Sequence, residues 1–346
     1  MSQLNRLFYM LIIVSFSAIV TFGSGNNRAG TSAAPELRIP VGARYLAMGG
    51  SQIAGVTGLE AIYWNPAGVD FSQSSASAMF SYRKYIADMN VGFIAVSGKM
   101  GDLGSLGLAF RYLDIGTINV TTMDQPDGTG QQINPSFFVL GLTYSKVLTD
   151  RISIGVNFNI INESFDRAEA SGFTFDAGVQ YRDLFSVPGL DLGIAVKNLG
   201  GSMKYGGNAT FIQADATSSS RGPTFYQFAA AENQFPSELG LGLSYTRQLD
   251  ELNNFTVSAS YNNNNYAYDD YKIGLEYSYD KTFYVRGGYL FSPQATDNSP
   301  NIFEDFTLGA GINLNQVSGL DLSVDYAYVP VKYFESNHVF SLNIGF

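Results

Sequence analysis

From about residue 76 to its C-terminus the chain alternates. Leu320, Leu322, Val324, Tyr326 and Tyr328 are separated by Asp321, Ser323, Asp325 and Ala327. Phe306, Leu308, Ala310, Ile312 and Leu314 are separated by Thr307, Gly309, Gly311 and Asn313. The runs Tyr271–Tyr279 and Ile152–Ile160 repeat the pattern. Side chains on an extended strand point to opposite faces in turn, so each run owns one apolar and one polar face. Helical spacing fits none of them. The alternation predicts an all-β chain.

Two architectures use such strands. A soluble sandwich hides the apolar face in a core, whereas an outer-membrane barrel turns it to lipid and keeps the polar face for the lumen. The runs are about 9–14 residues long, which suits a tilted membrane crossing better than a sandwich strand of about 5–6. Many apolar faces end in an aromatic ring, as at Tyr112, Tyr144, Tyr181, Tyr245, Tyr261 and Tyr289, matching the girdles at the two membrane interfaces. The links also alternate. Short ones fall near 101–102, 149–150, 186–189, 250–254, 280–281 and 316–319. Longer ones fall near 83–89, 113–135, 162–171, 199–236, 262–270, 291–304 and 329–336. Short periplasmic turns and long outer loops give that parity. The expectation is an antiparallel, 14-stranded transmembrane β-barrel over 76–346, facing outer-membrane lipid. Arg on the lipid parity, at Leu275 or Ile312, should be costly, and Ser at inward Gly274 mild. The last strand, with Phe340, Leu342, Ile344 and Phe346 on one face, ends in an aromatic residue, which resembles the signal read by barrel-assembly machinery.

Composition narrows the function. Only 14% of residues are charged and the net charge is −10, so no basic patch is on offer for nucleic acid. There is no Cys, which removes thiolate metal sites, disulfides and a cysteine nucleophile. His338 is the sole histidine, sits at the loop end of the last strand and lacks the acid and nucleophile of a hydrolase. Asp269-Asp270 and Glu304-Asp305 read as solvated loop charge. No enzyme, catalytic residue, metal site or cofactor is expected.

The N-terminal region does not alternate. Residues 1–23, with Arg6 ahead of the apolar stretch Leu7–Val20 and small residues around Gly23, read as a secretory signal peptide. No other apolar run approaches spanning length. Residues 24–75 read as a plug or hatch filling the barrel mouth, with the N-terminus expected on the periplasmic side. Its glycines allow close backbone approach, and Asn65-Pro66 starts a turn. Gly42-Ala43-Arg44, Met48-Gly49-Gly50 and Tyr63 through Gly68, above all Asn65-Pro66-Ala67-Gly68, resemble the N-terminal signature of the PorV/PorQ family, part of the wider FadL-like group of outer-membrane barrels. That resemblance implies a 14-stranded barrel serving type IX protein secretion or surface attachment, with cargo or translocon proteins as partners. FadL-like relatives imply the alternative, inward transport of a hydrophobic ligand, for which Ile39, Val41, Leu46 and Met48 would supply an apolar pocket. The motif residues Gly42, Arg44, Gly49, Gly50, Asn65, Pro66, Ala67 and Gly68 are equally suited to packing a plug against its wall.

Two further features bear on function. Arg111, Asp176, Arg182, Lys197, Lys272, Glu276, Arg286, Asp321 and Asp325 take inward parity, and their mixed signs suggest pairs gripping a plug rather than a greasy conduit. The longest loop, about 199–236, carries Phe211, Ile212, Phe225, Tyr226, Phe228 and Phe235 on a polar background, as a partner-binding surface or a collapsed lid would.

Overall fold

In the computed structural model the described residues are 28–214, 223–295, 302–303, 305–315 and 321–346. The expected signal peptide at 1–23, Glu304 and the link 316–319 lie outside them. Fourteen antiparallel strands form a closed barrel. They are β1 (Ala76–Lys84), β2 (Asn90–Lys99), β3 (Ser105–Asp114), β4 (Ser136–Thr149), β5 (Ile152–Phe165), β6 (Ala168–Tyr181) and β7 (Leu190–Gly200), then β8 (Glu238–Gln248), β9 (Asn253–Asn264), β10 (Asp270–Tyr279), β11 (Phe283–Phe291), β12 (Phe306–Asn313), β13 (Asp321–Val329) and β14 (Asn337–Gly345). Each pairs with its sequence neighbour, and β1 closes on β14 from Ser77↔Gly345 to Lys84↔His338. In hydrocarbon no water can satisfy a free strand edge, so the sheet has to close.

The expected parity holds. Leu108, Leu142, Val156, Ile273, Leu275 and Leu308 are exposed on the outer face, while Arg111, Thr143, Asn157 and Glu276 are buried inside. His338 lies on the outer face, its Nδ1 2.8 Å from the Tyr326 hydroxyl. One link differs from expectation. The region 162–171 is strand almost throughout, and β5 turns into β6 at Asp166-Arg167 alone, with Asp166 at φ 53°. Pairing of β6 with β7 stops at Thr174↔Gly200, so residues 168–173 overtop that neighbour. Strand that stands above the bilayer needs no apolar outer face, and this is why its polar residues read as loop.

Residues 28–75 run through the lumen. Two helical turns, α1 (Ala43–Leu46) and α2 (Ala61–Trp64), and two 3-10 turns, Pro35–Arg38 and Pro66–Gly68, supply its regular structure. Ile39, Val41, Met48, Val56 and Trp64 pack with Phe93, Ala109 and Val329 of the wall as the main apolar core. The N-terminal end of the described chain is not at the short-turn end, where the sequence reading put it. Ala33 N–H donates to Gln234 O (2.9 Å), and Arg28 stacks on Tyr266 at 4.5 Å, both from the long-loop end. At the other end Ser74 Oγ donates to Asp321, and the chain passes into β1. A plug that must join β1 at one mouth yet fill the whole bore crosses from one mouth to the other.

The wall is cut to fit this plug. A Cβ on inward-facing Gly274 would collide with Met48 O and Ser51 Oγ, and one on Gly288 with the Met48–Gly49 backbone. The mild outcome expected for Ser at Gly274 is therefore overturned: the glycine is there because another backbone occupies its side-chain space. Leu275→Arg should cost about 2–4 kcal/mol if near the bilayer midplane. Gly274→Ser should leave the barrel inserted but loosen the plug, seen as faster proteolysis of residues 28–75 in a heat-modifiable barrel. An intact, protease-resistant plug in that variant would contradict the packing described.

Candidate functional site

The motif residues come together at the seats of the plug. Asn65 leaves α2 with extended backbone (φ −161°), and its Oδ1 caps the 3-10 turn by accepting from Ala67 N–H at 3.2 Å. Its Nδ2 donates to Ile53 O (2.9 Å), and lies within reach of Val179 O and Ile194 O of the wall (3.2 and 3.4 Å). Ala67 O accepts from Ser145 Oγ and Ser153 Oγ (3.0 and 2.7 Å). Gly155 and Gly178 lie directly under this turn, where a Cβ would run into Pro66 and Asn65 respectively. Within the plug, Gly68 leaves room for Val56 O, and Gly50 for the Trp64 ring. Gly42, Gly49 and Gly50 all have positive φ (83°, 68° and 69°), the region only glycine enters without strain. Gly49 N–H donates to Thr307 Oγ1, which donates in turn to Ala47 O, both at 3.0 Å. The motif thus spends its polar groups within the protein.

Arg44 is the charged member. Its Nε and Nη2 grip Glu276 at 3.2 and 3.0 Å. Glu276 also accepts from Arg286 Nε, and Arg286 Nη1 donates to Asp325, each at 2.6 Å. Two guanidinium groups balance two carboxylates across the plug–wall boundary. Paired and bonded on both sides, such buried ions hold position, whereas removing one strands the others. Glu60 lies beside this network, with Tyr45 N–H donating to it at 3.3 Å. A fifth charge there would be uncompensated, and burial, with Asp325 close by, pushes the Glu60 carboxyl up to about 8.

The other inward charges divide. Arg111 donates to the Leu37 and Ile39 carbonyls (both 3.4 Å), Arg182 stacks on Phe71, Lys197 lies over Tyr63, and Asp321 holds Ser74. Lys272 pairs with Asp270, and Asp176 accepts from Asn157 and Asn159, so these two grip only the wall. Asp269 is taken up by Asn263 and Asn264 N–H. The plug separates two cavities. One of about 310 Å³ opens at the short-turn end and is lined by Arg44, Glu60, Arg182, Asp321 and Asp325. One of about 220 Å³ at the long-loop end has Leu46, Tyr63, Trp64 and Phe303 beside Arg38, Arg83, Lys197, Lys272, Glu238 and Asp270. Of the four residues expected to form an apolar pocket, Leu46 lines that cavity, whereas Ile39, Val41 and Met48 are core.

The long loop forms a hairpin above the rim. Phe211–Ala214 pairs with Thr224–Gln227, placing Phe211 and Phe225 on one face and Ile212 and Tyr226 on the other. These four and Phe228 are 41–69% exposed, so the hairpin is not a collapsed lid. Phe235 departs from the group: at 3% exposure it packs with Leu37, Ile161 and Met203. The loop leans on the overtopping β5–β6 hairpin, where Glu169 bridges Gly206 and Ala209 N–H donates to Arg167 O. Sequence reasoning missed the wall glycines and the buried acids Glu36, Glu60 and Glu163. Glycine recurring at inward parity was the available signal, since within strands it marks close backbone approach.

Asn65→Ala should destabilise the plug by about 1–3 kcal/mol, because it leaves buried carbonyl and amide groups without their partner. Trp64, the only tryptophan, is buried in the plug, so the urea dependence of its emission reports the change. An unaltered midpoint would show that Asn65 does not hold the plug.

The comparisons with known proteins bear on this arrangement. The model of the family described as Type IX secretion system protein PorV matches residues 22–266. No curated protein matches. Among solved structures, a deletion mutant of the monoaromatic hydrocarbon channel TodX is similar at TM-score 0.58 and 14% identity, over 88% of this chain and 99% of that one. The P. putida toluene transporter TodX gives 0.57 and 12%, over 88% and 98%. A Pseudomonas aeruginosa FadL homologue gives 0.49 and 16%, over 92% and 97%. At these identities the likeness to TodX is one of fold alone, a closed β-barrel, and the family match over most of the length makes this chain a member of the PorV family.

Proposed function

We propose that this barrel is a non-enzymatic component of type IX protein secretion or surface attachment, and that it binds secreted cargo or translocon proteins through its rim hairpin. Family membership supports the setting. The observation that carries the role is the hairpin itself: four large apolar side chains exposed on its two faces, with Phe228 exposed beside them, above a plugged bore. Aromatic anchors on an adaptable polar background suit protein contact. In this reading the short turns lie in the periplasm and the long loops outside.

A second reading, FadL-like transport of a hydrophobic small molecule, is favoured by the cavity at the long-loop end, where Leu46, Tyr63, Trp64 and Phe303 offer apolar surface. The six charged residues around the same cavity and the ion-paired plug beneath it weigh toward the first.

Orientation is tested with epitope tags. One at Met123, fully exposed in a long loop, should be reached by antibody on intact cells, and one at exposed Asp250 only after permeabilisation. The reverse labelling would invert the topology. Function is tested by deleting residues 208–230. The variant should remain an inserted barrel, because loops contribute little to the strand ladder. Co-purification of cargo or translocon proteins should fall, with hydrophobic-probe uptake unchanged. Retained partners with abolished uptake would replace the secretion reading by transport.

A further inference from the structure

Three ionisable groups meet where plug, wall and rim loop join. Glu36 comes from the plug turn Pro35–Arg38, Glu163 from the upper end of β5, and Tyr205 from the root of the rim loop. Glu36 and Glu163 are 5% and 2% exposed. Neither Glu36 oxygen, nor Glu163 Oε1, has a hydrogen-bond partner among the described residues, while the Tyr205 hydroxyl donates to Glu163 Oε2. The facing cation is Arg111 of β3, which donates to the Leu37 and Ile39 carbonyls. Around the acids, Leu37 of the plug, Ile161 of the wall, and Met203 and Phe235 of the loop form a closed apolar cluster, and Ala33 N–H ties the plug to Gln234 O.

A carboxyl at Glu36 resists ionisation in such a place, since desolvation and the facing Glu163 carboxylate each oppose a charge there. A proton held by Glu36 supplies the missing donor to Glu163. We propose that Glu36 keeps its proton and, by offering it to the unpartnered Glu163 oxygen, latches the root of the rim loop to the plug, and that losing that proton frees the loop root. The latch stands on its own geometry; its consequence, a protonation-dependent freedom of the hairpin to meet a partner, rests on the function proposed above.

The sign follows from burial. Burial first, and Glu163 second, push the Glu36 carboxyl from its ordinary 4.5 up to about 8, and Arg111 only partly offsets them. Burial and Glu163 also push the Tyr205 hydroxyl up, so it remains a donor throughout. The latched form keeps its proton between 4.5 and about 8, a range in which a Glu36 opened to water does not. The latched-to-open ratio is therefore greatest below 4.5 and falls by up to about tenfold per pH unit across that range, then levels off.

The chain has no cysteine, so a spin-label pair at Thr31→Cys and Asn233→Cys can be read without background. Both positions are exposed, one on the plug end and one on the loop root. Pulsed-EPR distances on the full barrel in lipid nanodiscs should be narrow at pH 5 and broaden by pH 9. Glu36→Gln, which carries a permanent donor, should stay narrow at both, and Glu163→Gln supplies the same donor from the other side if Glu36→Gln does not insert. Trp64 emission should stay constant, because only the loop root moves. An unchanged wild-type distribution overturns the latch. So does broadening in the Gln variant equal to wild type, which would assign the titration to another group such as Glu60. A shift of Trp64 emission over the same range also overturns it, by showing that the whole plug leaves. If distances respond as expected while cargo still fails to bind at every pH, the latch stands and the docking reading fails.

Discussion

Hydrocarbon offers no hydrogen bonds, and from that one constraint the rest of the molecule follows. A sheet in lipid must return to its own first strand, and here fourteen strands do so through the β1–β14 seam. An eight-stranded barrel can be filled by its own side chains, but a wider one encloses more space than its wall can occupy. The plug answers that surplus. Its apolar residues and those of the inner wall together make the core that a soluble protein would build between two layers.

Filling a polar bore with backbone imposes its own chemistry. Where plug meets wall, the wall gives way in glycine, at Gly155, Gly178, Gly274 and Gly288, or reaches in with hydroxyl groups such as those of Ser145, Ser153 and Thr307. Around Arg44 the buried charge is balanced, two guanidinium groups against two carboxylates, while Arg111 spends its charge on plug carbonyls. A bore built this way is occupied between its two cavities, and the exposed aromatic residues of the long loop lie at the rim. The exposed aromatic residues stand on the longest loop, which folds a hairpin of its own above the wall.

Much of this was legible in the residues. Alternation of period two depends only on which face meets lipid, so all fourteen strands and their inward charges could be placed from the sequence. It failed at 162–171 for the same reason, because strand raised above the bilayer has no lipid face to mark it. The plug motif could be found but not its partners, since Asn65 meets Val179 and Ile194 across more than a hundred residues. Phe235 looked like its neighbours in the loop, and only the three-dimensional meeting with Leu37 and Ile161 distinguishes an anchor from an exposed ring. Glu36 and Glu163 carry no local signal of their burial at all.

The course of the plug also bears on how such a molecule can be made. The chain enters the described structure at one mouth, leaves at the other, and only then begins its first strand. Pulling that segment through a finished ring would drag Met48 and the Asn65-Pro66 turn along wall glycines that leave no room even for a Cβ. The ring has to be sealed around its contents instead. The part of the protein translated first must then be gathered in before the last strand meets the first, so that closure of the wall is a report on the contents as well as on the strands.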